Sequence, residues 1–203
     1  MAVSMDLVKK LRELSGAGMM DCKNALEEAE GDIDKAFTIL REKGIAKASK
    51  RAGRATGQGV VEAYLHSTSP DFPPQVGVLI EVNCETDFVA RTDEFQKLVR
   101  DLAIQVAGMS PQYVDADGIP QDVLDAKKAE LLADESVQKK PEAIRPQIVE
   151  GQLKKWFGQV CLLDQPFRDE ERSVRDLITD KIATIGENIR VRRFTRYALG
   201  EEL

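Results

Sequence analysis

The chain has a single histidine, His66, and only three cysteines, Cys22, Cys84 and Cys161, in 203 residues. A serine or cysteine nucleophile would therefore find no base except His66, and a catalytic triad is not expected. A lone histidine on a strand reads more simply as structural. The cysteines are odd in number and widely spaced, which argues against a disulfide framework and fits a reducing compartment. No CxxC, HExxH or EF-hand spacing occurs, so the common metal motifs are missing, and neither a metal nor a cofactor is expected. GAG at 16–18 and GQG at 57–59 are too short to cradle phosphate, since a P-loop needs GxxxxGK[ST]. No apolar run approaches the roughly 20 residues of a membrane span. The first residues, MAVSMDLVKKLREL, are amphipathic and carry acids, unlike the apolar core of a signal peptide. The reading is of a cytoplasmic protein without a targeting segment or membrane contact.

What is present is ordinary for a soluble globular chain: 42% hydrophobic and 32% charged residues. The length allows one or two domains. A net charge of −6 does not suggest a nucleic-acid binder, and no direct nucleic-acid contact is expected. The charge is uneven, however. Residues 41–54, REKGIAKASKRAGR, hold six basic side chains against Glu42. Such a run is either an electrostatic contact for RNA or an acidic protein, or a solvated linker, and the linker is the simpler reading.

Hydrophobic spacing divides the chain. Leu7, Val8, Leu11 and Leu14 share one helical face. SGAG at 15–18 breaks that helix, because glycine permits backbone angles other residues avoid. A second helix over 19–30 turns Ala25, Leu26 and Ala29 inward. A third, capped by Asp32, uses Ile33, Ala36, Phe37 and Leu40 and is expected to end at Gly44. These three helices form a module over 1–45. Residues 46–59 read as a basic, glycine-containing linker whose first part could extend the third helix, since Ala and Lys are good helix formers, with a flexible hinge towards the glycines at 53, 57 and 59. Residues 60–203 read as an α+β core. In the core, strands are expected at 60–66 and 76–82, separated by a proline-rich loop at 67–75. The clearest helix covers 93–109, with Phe95, Leu98, Val99, Leu102, Ala103 and Val106 inward and Thr92 as its N-cap. Further helices are read at 121–138, 147–157 and 173–185. A last strand over 188–198 loses its alternation at Arg192 and Arg193, which indicates a bulge or a change of face. The fold class is α+β, an antiparallel sheet covered by helices behind a three-helix module.

Three stretches, SGAGMMDCKNALEEAEGDIDKA (15–36), NCETDFVAR (83–91) and IGENIRVRRF (185–194), resemble the elongation factor Ts family. They occur in order and the similarity runs through nearly the whole chain. The resemblance implies a ubiquitin-associated-like N-terminal module, a linker and a core with an antiparallel sheet. It implies a nucleotide exchange factor without chemistry of its own. Its partner would be the GTPase elongation factor Tu, bound in GDP-loaded and nucleotide-free forms, from which it displaces Mg²⁺ and GDP so that GTP can rebind. Longer members carry a second core half after the GENI-like segment. Here that segment lies near the C-terminus, so a short form is inferred, with a homodimer formed through the 60–203 core. The arginine-rich last strand suits an edge that gains a partner, or the blunted edge of a monomer.

The resemblance assigns Mg²⁺ dislocation on the partner to Thr86, Asp87, Phe88 and Val89. On residue chemistry alone, Phe88 either closes the core between strand and helix or acts as an apolar wedge on another molecule. The resemblance also points to Lys9, Arg12, Met19 and Met20 as a second partner contact. The two methionines suit an adaptable surface, although one of them is equally suited to the module's core. Two other readings compete. One is a ribosome- or RNA-associated protein using 41–54. The other is a ubiquitin-associated-like module fused to an unrelated enzyme.

Overall fold

The computed structural model describes residues 3–69, 71–168 and 172–202. Met1, Ala2, Pro70, Asp169, Glu170, Glu171 and Leu203, which the sequence reading covers, lie outside the described residues. The chain forms two compact units. One comprises residues 1–60, 82–95 and 176–190, and the other 61–81, 96–175 and 191–203.

The first unit begins with α1 (Met5–Ser15), α2 (Met19–Glu28) and α3 (Ile33–Arg51). Ser4 caps α1, and Gly16 ends it at φ 67°, where its N–H reaches the Arg12 carbonyl. Asp32 caps α3 by accepting from the Asp34 and Lys35 amides at 3.0 Å each. Val8, Leu11, Cys22, Ala25, Leu26, Ala29 and Ala36 form the module's core, with Leu7, Ile33 and Leu40 packed against it. Two expected core residues are not there: Leu14 is exposed, and Phe37 is 42% exposed.

The third helix does not stop at Gly44. It continues to Arg51, because Ala46, Lys47, Ala48 and Lys50 are good helix formers. Gly44 serves packing instead of termination. A Cβ there would lie 3.2 Å from the Ala183 Cβ, so the missing side chain lets α3 approach α9 (Val174–Ile185) closely.

The strands among the described residues are β1 (Gln58–His66), β2 (Val76–Cys84) and β3 (Arg190–Ala198). They form one antiparallel sheet in the order β1-β2-β3, as expected. Gly59 has φ 148°, and a Cβ on it would lie 2.2 Å from the Val82 carbonyl oxygen. Only glycine fits there. On β2, Val78, Ile80, Val82 and Cys84 are buried while Leu79 is exposed, the alternation of a sheet with one covered face. On β3 the inward parity changes between Val191 and Phe194, where the sequence loses its alternation.

The helix α5 (Asp93–Met109) has the expected bounds, and all six of its expected inward residues are buried. Arg100 ties it to β1 through Glu62 and the Ala63 carbonyl. The second unit also contains α6 (Gln121–Ala133), α7 (Glu135–Gln138) and α8 (Arg145–Val160). The single helix expected over 121–138 is thus two, divided at Asp134. A buried pair, Gln105 and Gln165, is satisfied by each other and by the Pro166, Met109 and Gln159 carbonyls.

Candidate functional site

The stretch between β2 and α5 folds into a single helical turn, α4 (Asp87–Ala90). Thr86 is its N-cap: the hydroxyl accepts from the Val89 amide at 3.4 Å. Asp87 stands in the first turn, where a carboxylate favours the helix dipole, and it pairs with Arg91 at 2.8 Å. The turn ends where Thr92 donates to the Val89 carbonyl at 2.8 Å. The same Thr92 hydroxyl accepts from the Phe95 amide at 3.3 Å, so it also caps α5 as expected.

This turn has one inward and one outward residue. Ala90 is buried, whereas Phe88 is 79% exposed. Phe88 therefore does not close the core. An aromatic ring left in water gives up about 1.5–3 kcal/mol that burial would return, and the fold gains nothing evident from placing it there.

The turn is held from behind by residues that sequence reasoning did not single out. Glu187 Oε2 accepts from the Glu85 and Thr86 amides at 3.0 Å each, and its Oε1 from the Thr86 hydroxyl at 2.6 Å. The Asn188 amide donates to Glu85 Oε1 at 2.7 Å. Its buried side chain donates to the Ala52 and Arg54 carbonyls at 3.3 and 2.9 Å. Gly186 makes this possible: at φ 90° it ends α9 and turns the chain back. The available signal was a glycine followed by two polar residues inside the apolar series Ile182, Ile185, Ile189 and Val191.

The second set of residues lies on the three-helix module. Lys9 and Arg12 are exposed on α1 and pair with no acid among the described residues. Met20 is 64% exposed, while Met19 is half-buried against the module's core. The geometry thus divides the two methionines, one outward and one inward.

The basic run 41–54 is mostly engaged within the chain. Arg41 pairs with Asp176, Lys43 with Glu28 and Lys47 with Asp21. Arg51 donates to the Ile182 carbonyl at 3.0 Å, at the negative end of α9, and Arg54 pairs with Glu85 at 3.4 Å. Lys50 alone of the six has no partner among the described residues. The three cysteines are free and buried. Burial raises the Cys84 thiol pKa, with Glu187 adding to the rise. The Cys161 thiol is pushed up to about 12, first by burial and then by Asp164 and Asp115. The single histidine stands in strand β1, where Tyr64 meets its Nδ1 at 3.0 Å. No group of three or more His, Cys, Asp or Glu side chains among the described residues is arranged to hold a metal ion. No described helix is long and apolar enough to cross a membrane.

A family model described as elongation factor TS matches residues 5–180. Elongation factor Ts of Thermotoga neapolitana is 55% identical over 203 residues, covering 100% of both chains. That of Carboxydothermus hydrogenoformans is 52% identical over 202 residues, covering 99% of this chain and 91% of the relative. That of Coprothermobacter proteolyticus is 48% identical over 202 residues, covering 99% of this chain and all of the relative. These matches, on a chain of the expected α+β fold, define a translation elongation factor. More narrowly, the chain belongs to the elongation factor Ts family. That membership implies a nucleotide exchange factor whose partner is elongation factor Tu.

Proposed function

We propose that this chain binds elongation factor Tu in its GDP-bound and nucleotide-free forms and releases GDP by displacing the partner's Mg²⁺. The observation that supports this is Phe88, an aromatic ring 79% exposed at the tip of a braced helical turn. Phe88 enters between two elements of the GTPase near its nucleotide, with Thr86, Asp87 and Val89 shaping the same contact. Mg²⁺ needs near-ideal octahedral geometry, so a small displacement of its ligands weakens it sharply. The phosphates then lose their main counter-charge, GDP leaves, and GTP rebinds.

One ring is not enough. Burying a Phe contributes about 1.5–3 kcal/mol, whereas driving an equilibrium from 1:99 to 99:1 takes about 5.5 kcal/mol of differential binding. The remainder comes from a second contact at Lys9, Arg12, Met19 and Met20, of which Met19 also packs against the module's core. Module and turn lie in the same compact unit, so binding of one raises the effective concentration of the other. By linkage, a factor that lowers nucleotide affinity is itself bound less tightly when nucleotide is present. No chemistry by this chain is required, and it acts in the cytoplasm.

The functional division follows the sequence: 1–45 for the second contact, 46–59 as the join, and 60–203 for self-association. The chain is a homodimer. Val61, Leu65 and Leu79 are exposed at alternate positions of adjacent strands, with Tyr197 exposed on β3, and a second copy covers them. The RNA-binding reading of 41–54 is disfavoured, because five of its six cations already have partners within the chain.

The test is stopped-flow release of labelled GDP from elongation factor Tu at rising concentrations of the chain. A saturating acceleration is expected, and release at the intrinsic rate at every concentration would overturn the proposal.

A further inference from the structure

We infer that Glu187 is a positioning residue for exchange, whose carboxylate fixes the direction in which Phe88 leaves the surface. This inference rests on the reading of Phe88 as the wedge and deepens it.

The helix that carries Phe88 has four residues. A helix of one turn is not stable by itself, because nucleation fixes several dihedrals for each hydrogen bond gained. Its order must come from outside. Phe88 supplies none, being exposed, and at the C-terminal end Ala90 is buried. At the N-terminal end the anchor is Thr86, and Thr86 is held by Glu187 through both its amide and its hydroxyl, at 3.0 and 2.6 Å.

The hydroxyl geometry gives the grip its direction. A threonine hydroxyl has one proton to donate and lone pairs to accept with. Here the proton goes to Glu187 Oε1, which leaves a lone pair for the Val89 amide. With the acceptor removed, the hydroxyl rotates freely and the cap loses its preferred orientation. The neighbouring Glu85 amide is held by the same carboxylate at 3.0 Å, so the chain is fixed on both sides of the Glu85–Thr86 peptide. A wedge must be stiff to move its target. A turn that has to order on binding spends that free energy before any reaches the partner. Glu187 need not touch the partner for this role.

The experiment compares E187A, E187Q, F88A and the double variant F88A/E187A in GDP release from elongation factor Tu. Hydrogen exchange is read in parallel at the Glu85 and Thr86 amides of the free protein. E187A is expected to speed exchange at both amides and to lower the maximal release rate roughly tenfold, the scale of a lost helix cap. The half-saturating concentration should stay within about twofold, because the module's contact is intact. E187Q should fall between E187A and the parent, since its amide oxygen can still accept from both backbone donors. If Glu187 acts only through Phe88, the double variant is no slower than F88A. Additive losses in the double variant would overturn the inference. So would an unchanged maximal rate in E187A or, should that variant fail to fold, in an E187Q variant whose two amides exchange faster. If F88A itself releases GDP at the parental rate, the wedge reading falls first, and the inference falls with it.

Discussion

The side-chain amide of Asn188 donates to the Arg54 carbonyl at 2.9 Å, joining the chain after α9 to the segment that leaves α3. The same residue's backbone amide donates to Glu85, immediately before the exposed turn. A buried hub thus connects the helix of the N-terminal module with the element that carries Phe88.

Removing this hub should be costly. N188A removes the two donations to the Ala52 and Arg54 carbonyls, and a typical intramolecular hydrogen bond contributes about 0.5–1.5 kcal/mol. Urea unfolding should show a free energy lower by about that amount per lost bond, seen as a lower midpoint with an unchanged slope.

F88A should separate function from stability. The ring lies outside the core, so truncation should change unfolding free energy by less than about 0.5 kcal/mol. GDP release from elongation factor Tu should nevertheless fall severalfold in stopped-flow measurements, with most of the binding retained.

Gly59→Ala should damage the sheet. The added Cβ would stand 2.2 Å from the Val82 oxygen at a φ of 148°, and backbone in such a region costs about 1–3 kcal/mol even before the clash is counted. Thermal unfolding monitored by circular dichroism should show a large drop, whereas an unaltered curve would contradict the close approach of β1 and β2.

Alkaline pH should destabilise the fold through Cys161. The folded thiol holds its proton to about pH 12, above its ordinary value of 9.0. Above pH 9 the unfolded chain has therefore lost a proton that the folded chain keeps. Stability from this thiol is fully present below about pH 9 and declines as pH rises towards 12, on the order of 1 kcal/mol per pH unit. Urea midpoints at pH 8 and 10.5 should converge more in C161A than in the parent.

Self-association should depend on the outer sheet face. L79E places a charge at a half-exposed β2 position that lines the same surface groove as Val61. Sedimentation should show the variant as a monomer at concentrations where the parent is a dimer, and equal masses would refute the proposed interface.

Much of the architecture was legible because it depends on local periodicity. Phe95, Leu98, Val99, Leu102, Ala103 and Val106 repeat at helical spacing, and α5 has the bounds that spacing predicts. Asp32 and Thr92 cap helices as their side-chain chemistry requires. The errors occur where a tertiary neighbour decides. Gly44 reads as a stop, yet the helix formers after it carry α3 to Arg51, and only the nearness of Ala183 shows the packing use of the glycine. Phe37 and Leu14 fit an inward stripe, yet three short helices leave part of that stripe uncovered.

The sequence by itself determined the helix and strand pattern, the α+β class and the family, since these depend on spacing and on contiguous motifs. Only the tertiary structure decided that Phe88 faces water, that Met19 and Met20 part company, and that Glu187 holds Thr86. The last of these joins residues 101 positions apart, and no local rule reports which distant carboxylate will meet which amide.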